Sequence, residues 1–337
     1  MVYRLGEGVV RLTGTRLVTA VALLFLAGPL AAQEQQARKV SRIGWLNVSS
    51  VAPNAAVTSF REGLRELGWV EGRDVVIEYR SAEGRAERLP ALAADLVRLK
   101  VDVIVAGGAA APQEASKATA TIPIVMTSGG DPVAAGLVAS LARPGGNITG
   151  LATTSPELSG KRLELLKQAV PSLRRVAVLW NPDNPGHGQA LRAAEGAART
   201  LGLELQPLEF RVREHFEAAF QAAKRANSGA LIALDDPVTF RNRNVLVSQA
   251  SNVRLPVMYG FRESAEAGGL IAFGPTLADL HRRAAAYVDK ILKGTKPSEL
   301  PVEQPTTFDL VINMKTARAL GLTIPPSLLL RADQVIE

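Results

Sequence analysis

Several short runs of hydroxyl, amide and glycine residues follow directly after apolar, strand-like segments of the sequence. Such groups can bind the polar ends of a small molecule through hydrogen bonds and close backbone approach. In open α/β sheets, ligands bind beyond the carboxyl ends of the strands, so these positions are predicted ligand contacts. In the first half of the chain they are Asn47, Ser49, Ser50, Gly107, Gly108, Thr127, Ser128 and Asp131. In the second half they are Asn181, Asp235, Tyr259 and Gly260.

The acidic pair after the strand pattern at 230–234 is the sharpest of these signals. Asp236 lies directly before Pro237, which is the usual position of a helix-capping residue. Asp235 is therefore the better candidate to bind a ligand ammonium. The hydroxyls and free amides that follow the first strand would suit a ligand carboxylate.

Each of these interpretations has a structural alternative that the sequence leaves open. Ser49, Ser50 and Asp131 can cap helices. The glycines can form tight turns between a strand and a helix, and Tyr259 can be a core residue with a satisfied hydroxyl.

Patterns typical of enzymes and metal sites are missing from the sequence. His187, His215 and His281 lie far apart, form no HExxH set, and are expected to be scattered surface residues. Gly-x-Ser-x-Gly and GxGxxG are also absent, and there is no cysteine. We therefore expect no catalytic residues, no cofactor and no metal.

Strand patterns alternate with amphipathic helix patterns along the chain, in two sets that meet at residues 131–150. Continuous apolar strands with helices between them are typical of parallel sheets covered on both faces. Within 131–150, the spacing of Val133, Leu137 and Leu141 predicts a helix that begins at Asp-Pro. The tail is predicted to be extended over 301–309 and helical over 310–320.

The N-terminus has the features of a signal peptide. Three arginines precede an apolar stretch at 17–28, which is too short to span a bilayer, and small residues follow at 30–32. Cleavage near Ala32 would export the protein to the periplasm, and without cysteine it would not be a lipid-anchored lipoprotein. The formal net charge of +7 is scattered among acidic residues, which argues against nucleic-acid binding.

Three long segments of the chain resemble a known family. They are DPVAAGLVASLARPGGNITG at 131–150, the run from GGLIAFGP to TTFDL at 268–310, and NMKTARALGLTIPPSLLLRADQVIE at 313–337. Together with TIPIVM and VAVLWNP they resemble the ABC-transporter substrate-binding proteins of the tryptophan/tyrosine-permease-associated group.

The resemblance implies a type I periplasmic-binding-protein fold, in which two doubly wound, Rossmann-like α/β lobes are joined by a three-segment hinge. It places 40–149 plus 274–305 in lobe 1 and 150–273 plus 306–337 in lobe 2. Gly150 is then expected at the first hinge strand. The implied partners are a small-molecule ligand, with some family members resembling aromatic amino-acid binders, and an ABC permease in the inner membrane.

The favoured function is therefore a monomeric periplasmic binding protein that closes on a small molecule, with an amino acid as the first candidate. A ligand-sensing module for a membrane receptor is the alternative, and an exported α/β enzyme is the third.

Overall fold

A computed structural model describes residues 40–48, 55–128, 130–153, 156–184 and 186–337. The predicted signal peptide and the candidate residues Ser49 and Ser50 lie outside the described residues. The strands in these ranges are β1 Ser41–Asn47, β2 Val75–Ser81, β3 Val103–Gly107, β4 Ile124–Met126, β5 Ile148–Gly150, β6 Arg175–Trp180, β7 Glu204–Glu209, β8 Ala230–Ala233, β9 Val257–Tyr259, β10 Ile271–Pro275, β11 Phe308–Asn313 and β12 Gln334–Ile336. The α-helices are α1 Ala55–Glu66, α2 Leu89–Arg98, α3 Ala110–Ala118, α4 Pro156–Ala169, α5 His187–Leu201, α6 His215–Arg225, α7 Pro237–Arg241, α8 Arg243–Val253, α9 Arg262–Glu266, α10 Leu277–Leu292, α11 Met314–Leu320 and α12 Pro326–Leu329.

The strands form two sheets. The first has the order β2-β1-β3-β4-β5, and every pair in it is parallel. The second has the order β12-β11-β10-β9-β8-β6-β7, and β10 with β11 is its antiparallel pair. We call the first sheet with its helices lobe 1 and the second sheet with its helices lobe 2. This architecture confirms the α/β class.

The central strands are buried on both faces, as their apolar sequences predict. All residues of β3, with the sequence VIVAG, are buried, and so are all residues of β8, with the sequence ALIA. Strands without a polar face need helices on both sides of the sheet. Their carboxyl ends are then the edge of the sheet that stays open to a ligand.

Helix α10 follows β10 of lobe 2 but packs on lobe 1, against α1. It buries Leu280, Ala284 and Val288 at helical spacing. A Cβ at Gly63 of α1 would lie 2.8 Å from the Arg282 carbonyl oxygen, so glycine permits the close approach of the two helices.

The chain passes between the two sheets three times within the compact unit Ser41–Glu337. The passages follow β5, follow β10 and precede β11. The first and third are hydrogen-bonded to each other, because Glu303 N donates to the Gly150 carbonyl and the Glu303 carbonyl accepts from Ala152 N. The two connecting segments are therefore paired by backbone hydrogen bonds, and we call residues 150–152 with Glu303 the paired ribbon.

The prediction of a helix that begins at Asp131 is wrong. Residues 132–136 form only turns. Leu137 N donates to the Pro132 carbonyl and Gly136 N donates to that of Val133, which is the bonding pattern of a helix C-terminus. Gly136 has a φ of +68°, so the chain leaves the helical conformation after a single turn.

The tail also departs from its prediction, since residues 308–313 form β11 instead of extending a helix from 310. Leu310, Val311 and Ile312 are buried in the second sheet, and the β-branched side chains of Val311 and Ile312 suit a strand. The helix begins only at Met314, after Asn313, whose side-chain oxygen accepts from Thr316 N.

Candidate functional site

A pocket opens where the carboxyl end of the second sheet faces lobe 1. The pocket is partly open, and its empty space is about 480 Å³ when the solvent at its mouth is included. Its lining is mostly from lobe 2, with Asp131 contributed by lobe 1 and Thr153 by the first passage. The lining residues are Asp131, Thr153, Leu158, Ser159, Arg162, Gly186, His187, Gln189, Ala190, Leu234 and Asp235.

A buried ion pair forms the polar centre of this pocket. Arg162 of α4 is only 3% exposed, and its Nη2 lies 2.7 Å from Asp235 Oδ2. Its Nε donates to the Phe273 carbonyl at 2.8 Å. Charge-assisted bonds of this kind fix both side chains in place. The sequence reasoning found Asp235 but missed Arg162, which carries no signal in the sequence because it lies in mid-helix.

Two glycines make room for the pair. A Cβ at Gly260 would lie 1.4 Å from Asp235 Oδ1 and 2.6 Å from Arg162 Nη2. A Cβ at Gly274 would lie 1.8 Å from the Gly260 carbonyl oxygen. Gly260, predicted as a ligand contact, thus lies against the ion pair.

Only one of the two carboxylate oxygens of Asp235 accepts a hydrogen bond from the described residues. Oδ2 accepts from Arg162, whereas Oδ1 is buried and has no hydrogen-bond donor in the described part of the chain. A buried carboxylate oxygen without a donor carries a desolvation cost.

His187 connects the pocket wall to the loop after β6. Asn181 N donates to His187 Nδ1 at 2.8 Å, and His187 Nε2 lies 3.0 Å from the Asp235 carbonyl oxygen. These contacts require the neutral tautomer with its proton on Nε2. Burial lowers the pKa of His187, which keeps the ring neutral.

The expectation that all three histidines are surface residues is wrong for His187 and His281. Both are at most 4% exposed, whereas His215 is exposed. His281 lies inside lobe 1, where its ring stacks on Trp45 at 5.7 Å. Helix α10 turns this face toward β1, which the spacing of histidines in the sequence does not reveal.

Asp236 caps α7 and is not available to a ligand. Its Oδ1 accepts from Val238 N at 2.8 Å, and its Oδ2 accepts from the side-chain amides of Asn181 and Asn184. The predicted contact Asn181 is therefore buried beside the pocket and holds this capping carboxylate.

In lobe 1, predicted contacts meet at the carboxyl edge of the first sheet. A Cβ at Gly107 would lie 2.8 Å from Asn47 Nδ2 and 3.4 Å from Thr127 Oγ1. Ser128 Oγ accepts from Gly108 N at 2.9 Å. Thr127 is buried, and its hydroxyl has no hydrogen-bond partner among the described residues.

Asp131 has two roles in the structure. Its Oδ1 accepts from Val133 N and Ala134 N, so it caps the single turn that replaces the predicted helix. It also lines the pocket, together with Arg162 and Asp235 of lobe 2.

Tyr259 lies in the core of lobe 2 and is 2% exposed. A Cβ at Gly269 would lie 2.5 Å from the tyrosine ring, which shows how closely that glycine covers it. Burial raises the pKa of the Tyr259 hydroxyl well above its usual range. The structure does not bring this residue to the pocket.

The two lobes touch beside the pocket. Arg241 Nη1 of α7 donates to the Glu83 carbonyl of lobe 1 at 2.6 Å. A Cβ at neighbouring Gly84 would overlap the Arg241 guanidinium. A Cβ at Gly108 would lie 3.4 Å from Pro237. Helix α7 of lobe 2 is thus the element that meets lobe 1 at this edge.

The described residues contain neither a candidate metal site nor a helix that could span a membrane. No cluster of three or more His, Asp or Glu side chains in the described ranges could hold a metal ion. Among the helices of the described ranges, none is long and apolar enough to cross a bilayer.

The model of a family described as ABC transporter substrate binding protein matches residues 46–336. The chain belongs to this family. It is 27% identical over 277 residues to a tyrosine-binding protein of Clostridioides difficile (strain R20291), covering 79% of this chain and 76% of that protein. The match confirms the resemblance seen in the three long segments.

Solved structures agree with this assignment. A conserved domain protein from Vibrio cholerae has a TM-score of 0.84 and 29% identity, covering 88% of this chain and all of that one. The ABC domain in complex with L-Trp from Streptococcus pneumoniae has a TM-score of 0.83 and 26% identity, with the same coverage. The expected type I periplasmic-binding-protein fold is confirmed.

Proposed function

We propose that this protein is an exported, periplasmic amino-acid-binding protein that delivers its ligand to an ABC permease in the inner membrane. The observation that carries the amino-acid assignment is the pocket with a buried Arg162–Asp235 pair between two lobes of this fold. An amino acid carries both charges that such a pair can complement. An aromatic amino acid is favoured, because similar proteins are a tyrosine-binding protein and a domain in complex with L-Trp.

The proposed mechanism is closure of the lobes around the ligand. The ligand ammonium binds at Asp235, and polar groups of lobe 1 that include Thr127 and Ser128 complete the site. A ligand that contacts both lobes only in the closed form shifts the population toward closure. The paired ribbon that contains Gly150 is the proposed hinge, since a few residues between rigid lobes absorb the backbone change.

Isothermal titration calorimetry of the mature protein with the twenty amino acids, aromatic ones first, tests the proposal. We expect saturable heat for L-tryptophan, L-tyrosine or L-phenylalanine. Replacement of Asp235 with Asn should weaken binding about 10- to 100-fold, because a charge-assisted hydrogen bond contributes ~1.5–3 kcal/mol.

Asp279→Asn is the matched control. Asp279 lies in the first turn of α10 on lobe 1 and is partly exposed, so its replacement should leave the affinity unchanged. Absence of heat with all twenty amino acids would refute the amino-acid assignment. Native mass spectrometry of the purified protein would then show which molecule the pocket retains.

A further inference from the structure

The guanidinium of Arg162 has donors that the protein does not use. Arginine has five N–H groups in a rigid plane. Nε donates to the Phe273 carbonyl, and Nη2 donates to Asp235 Oδ2 and lies 3.5 Å from the Gly260 carbonyl oxygen. Nη1 has no acceptor within the described part of the chain. Because the residue is 3% exposed and lines the pocket, the pocket is where an acceptor for Nη1 can be supplied.

The surroundings of Nη1 favour an anion. Ser159 lies three residues before Arg162 on α4, is buried, and lines the same pocket, so its hydroxyl is on the same face of the helix. Ser159 belongs to the first turn of α4, whose N-terminal end carries partial positive charge. The helix thus presents a guanidinium, a hydroxyl and a favourable field to one wall of the pocket.

The charges of the pocket also require a cationic group on the same ligand. Asp131 and Asp235 are acidic, Arg162 is basic, and His187 is neutral because its Nδ1 accepts from Asn181 N. A ligand with only a carboxylate would add to this acidic excess. A zwitterion, with an ammonium toward the aspartates and a carboxylate toward α4, compensates both signs.

We propose that Arg162 Nη1, with Ser159 beside it, binds the carboxylate of the ligand, so that both charged groups of a free amino acid are recognised around the Arg162–Asp235 pair of lobe 2. The inference rests on the proposed function and assigns to α4 a group that sequence reasoning had placed on lobe 1. Arg162 is then the residue that discriminates a free amino acid from its amide or its decarboxylated amine.

The test compares each amino acid with its amide, which keeps the ammonium and the side chain but loses the negative charge. Dissociation constants are measured for L-tryptophan, L-tyrosine and their amides with the wild type and with Arg162→Gln. We expect the wild type to prefer the acid about 10- to 100-fold, and the variant to prefer it less than about threefold. Arg175→Gln, at the opposite end of β6 from the pocket, is the control and should keep the wild-type ratio.

Removal of Arg162 leaves Asp235 without its partner, which can unfold a buried site. Arg162→Lys keeps the charge but replaces the planar fork with a point charge, so it should fold and still lose most of the preference. Thermal unfolding of each variant shows which ones are folded. A folded variant that binds the amino acid with an unchanged acid-to-amide ratio overturns the inference while the proposed function stands.

Failure of the proposed function has a different signature. If neither aromatic amino acid binds the wild type, the preference for an aromatic ligand is refuted, and if none of the twenty amino acids binds, the proposed function is refuted. The same ratio is then measured with L-leucine and L-glutamine against their amides, and its dependence on Arg162 decides the inference. If no acid binds at all, the inference is overturned as well.

Discussion

Acidification between pH 7.5 and pH 5 is expected to destabilise this protein through His281. The ring is buried in lobe 1, stacks on Trp45, and has its Nδ1 2.6 Å from the Leu277 carbonyl oxygen. Burial lowers the pKa of His281 from 6.5 to about 4, because the charged imidazolium would lose its hydration. In the unfolded chain the His281 imidazole has a pKa near 6.5. It therefore binds a proton at pH values at which the buried ring of the folded chain stays neutral.

The sign and size of the effect follow from these two pKa values. The contribution of His281 to the free energy of unfolding is fully present above pH 6.5. It is lost as the pH falls toward 4, because over that range protonation stabilises only the unfolded state. Between pH 7.5 and pH 5, the free energy of unfolding should fall by about 2 kcal/mol from this residue. His187, whose pKa is also lowered by burial, adds to the loss in the same pH range.

Urea unfolding followed by tryptophan fluorescence at several pH values between 7.5 and 5 measures the loss. His281→Phe keeps an aromatic ring against Trp45 but cannot titrate, so the pH-dependent loss should shrink by about 2 kcal/mol. His215→Gln, at an exposed position, should retain the wild-type slope. An equal slope in the wild type and His281→Phe would refute the reasoning.

Two further predictions concern the connections between the lobes. Gly150→Ala should lower the free energy of unfolding by more than about 2 kcal/mol, because φ is +120° and a Cβ would lie 2.3 Å from the Met126 carbonyl oxygen. Chemical denaturation measures this change. Unchanged stability would contradict the close contact. Arg241→Ala removes the hydrogen bond to the Glu83 carbonyl and should increase the radius of gyration of the ligand-free protein in small-angle X-ray scattering. Arg243→Ala, whose guanidinium stacks on Phe240 within lobe 2, is its matched control, and an equal radius in both variants would exclude a role for Arg241 in holding the lobes together.

The alternation of strands and helices was readable from the sequence because it depends on local pattern. The run at 230–234 is apolar throughout and ends in two aspartates, so a buried parallel strand with polar groups at its carboxyl end followed directly. The structure places Asp235 in the pocket at that edge. It also confirms the role of Asp236 as the cap of α7, which its position before a proline had indicated.

Local pattern failed where one residue or a distant strand decided the outcome. Val133, Leu137 and Leu141 have helical spacing, yet the left-handed conformation of Gly136 ends the turn before a helix can form. In the tail, residues 310–312 pair with β10, and the burial gained in the sheet outweighs any helical preference.

The sequence by itself determined the fold class, the family and the edges of the sheets where a ligand can bind, because buried strands appear as continuous apolar runs and the family resemblance lies in contiguous segments. Only the tertiary structure decided which charged side chains meet there. Lys161 and Arg162 are neighbours in the same helix, but Lys161 pairs with Glu164 on the surface, whereas Arg162 reaches Asp235, 73 residues away. The direction in which α4 packs on the second sheet separates the two, and that direction is set by contacts between distant parts of the chain, which no local pattern records.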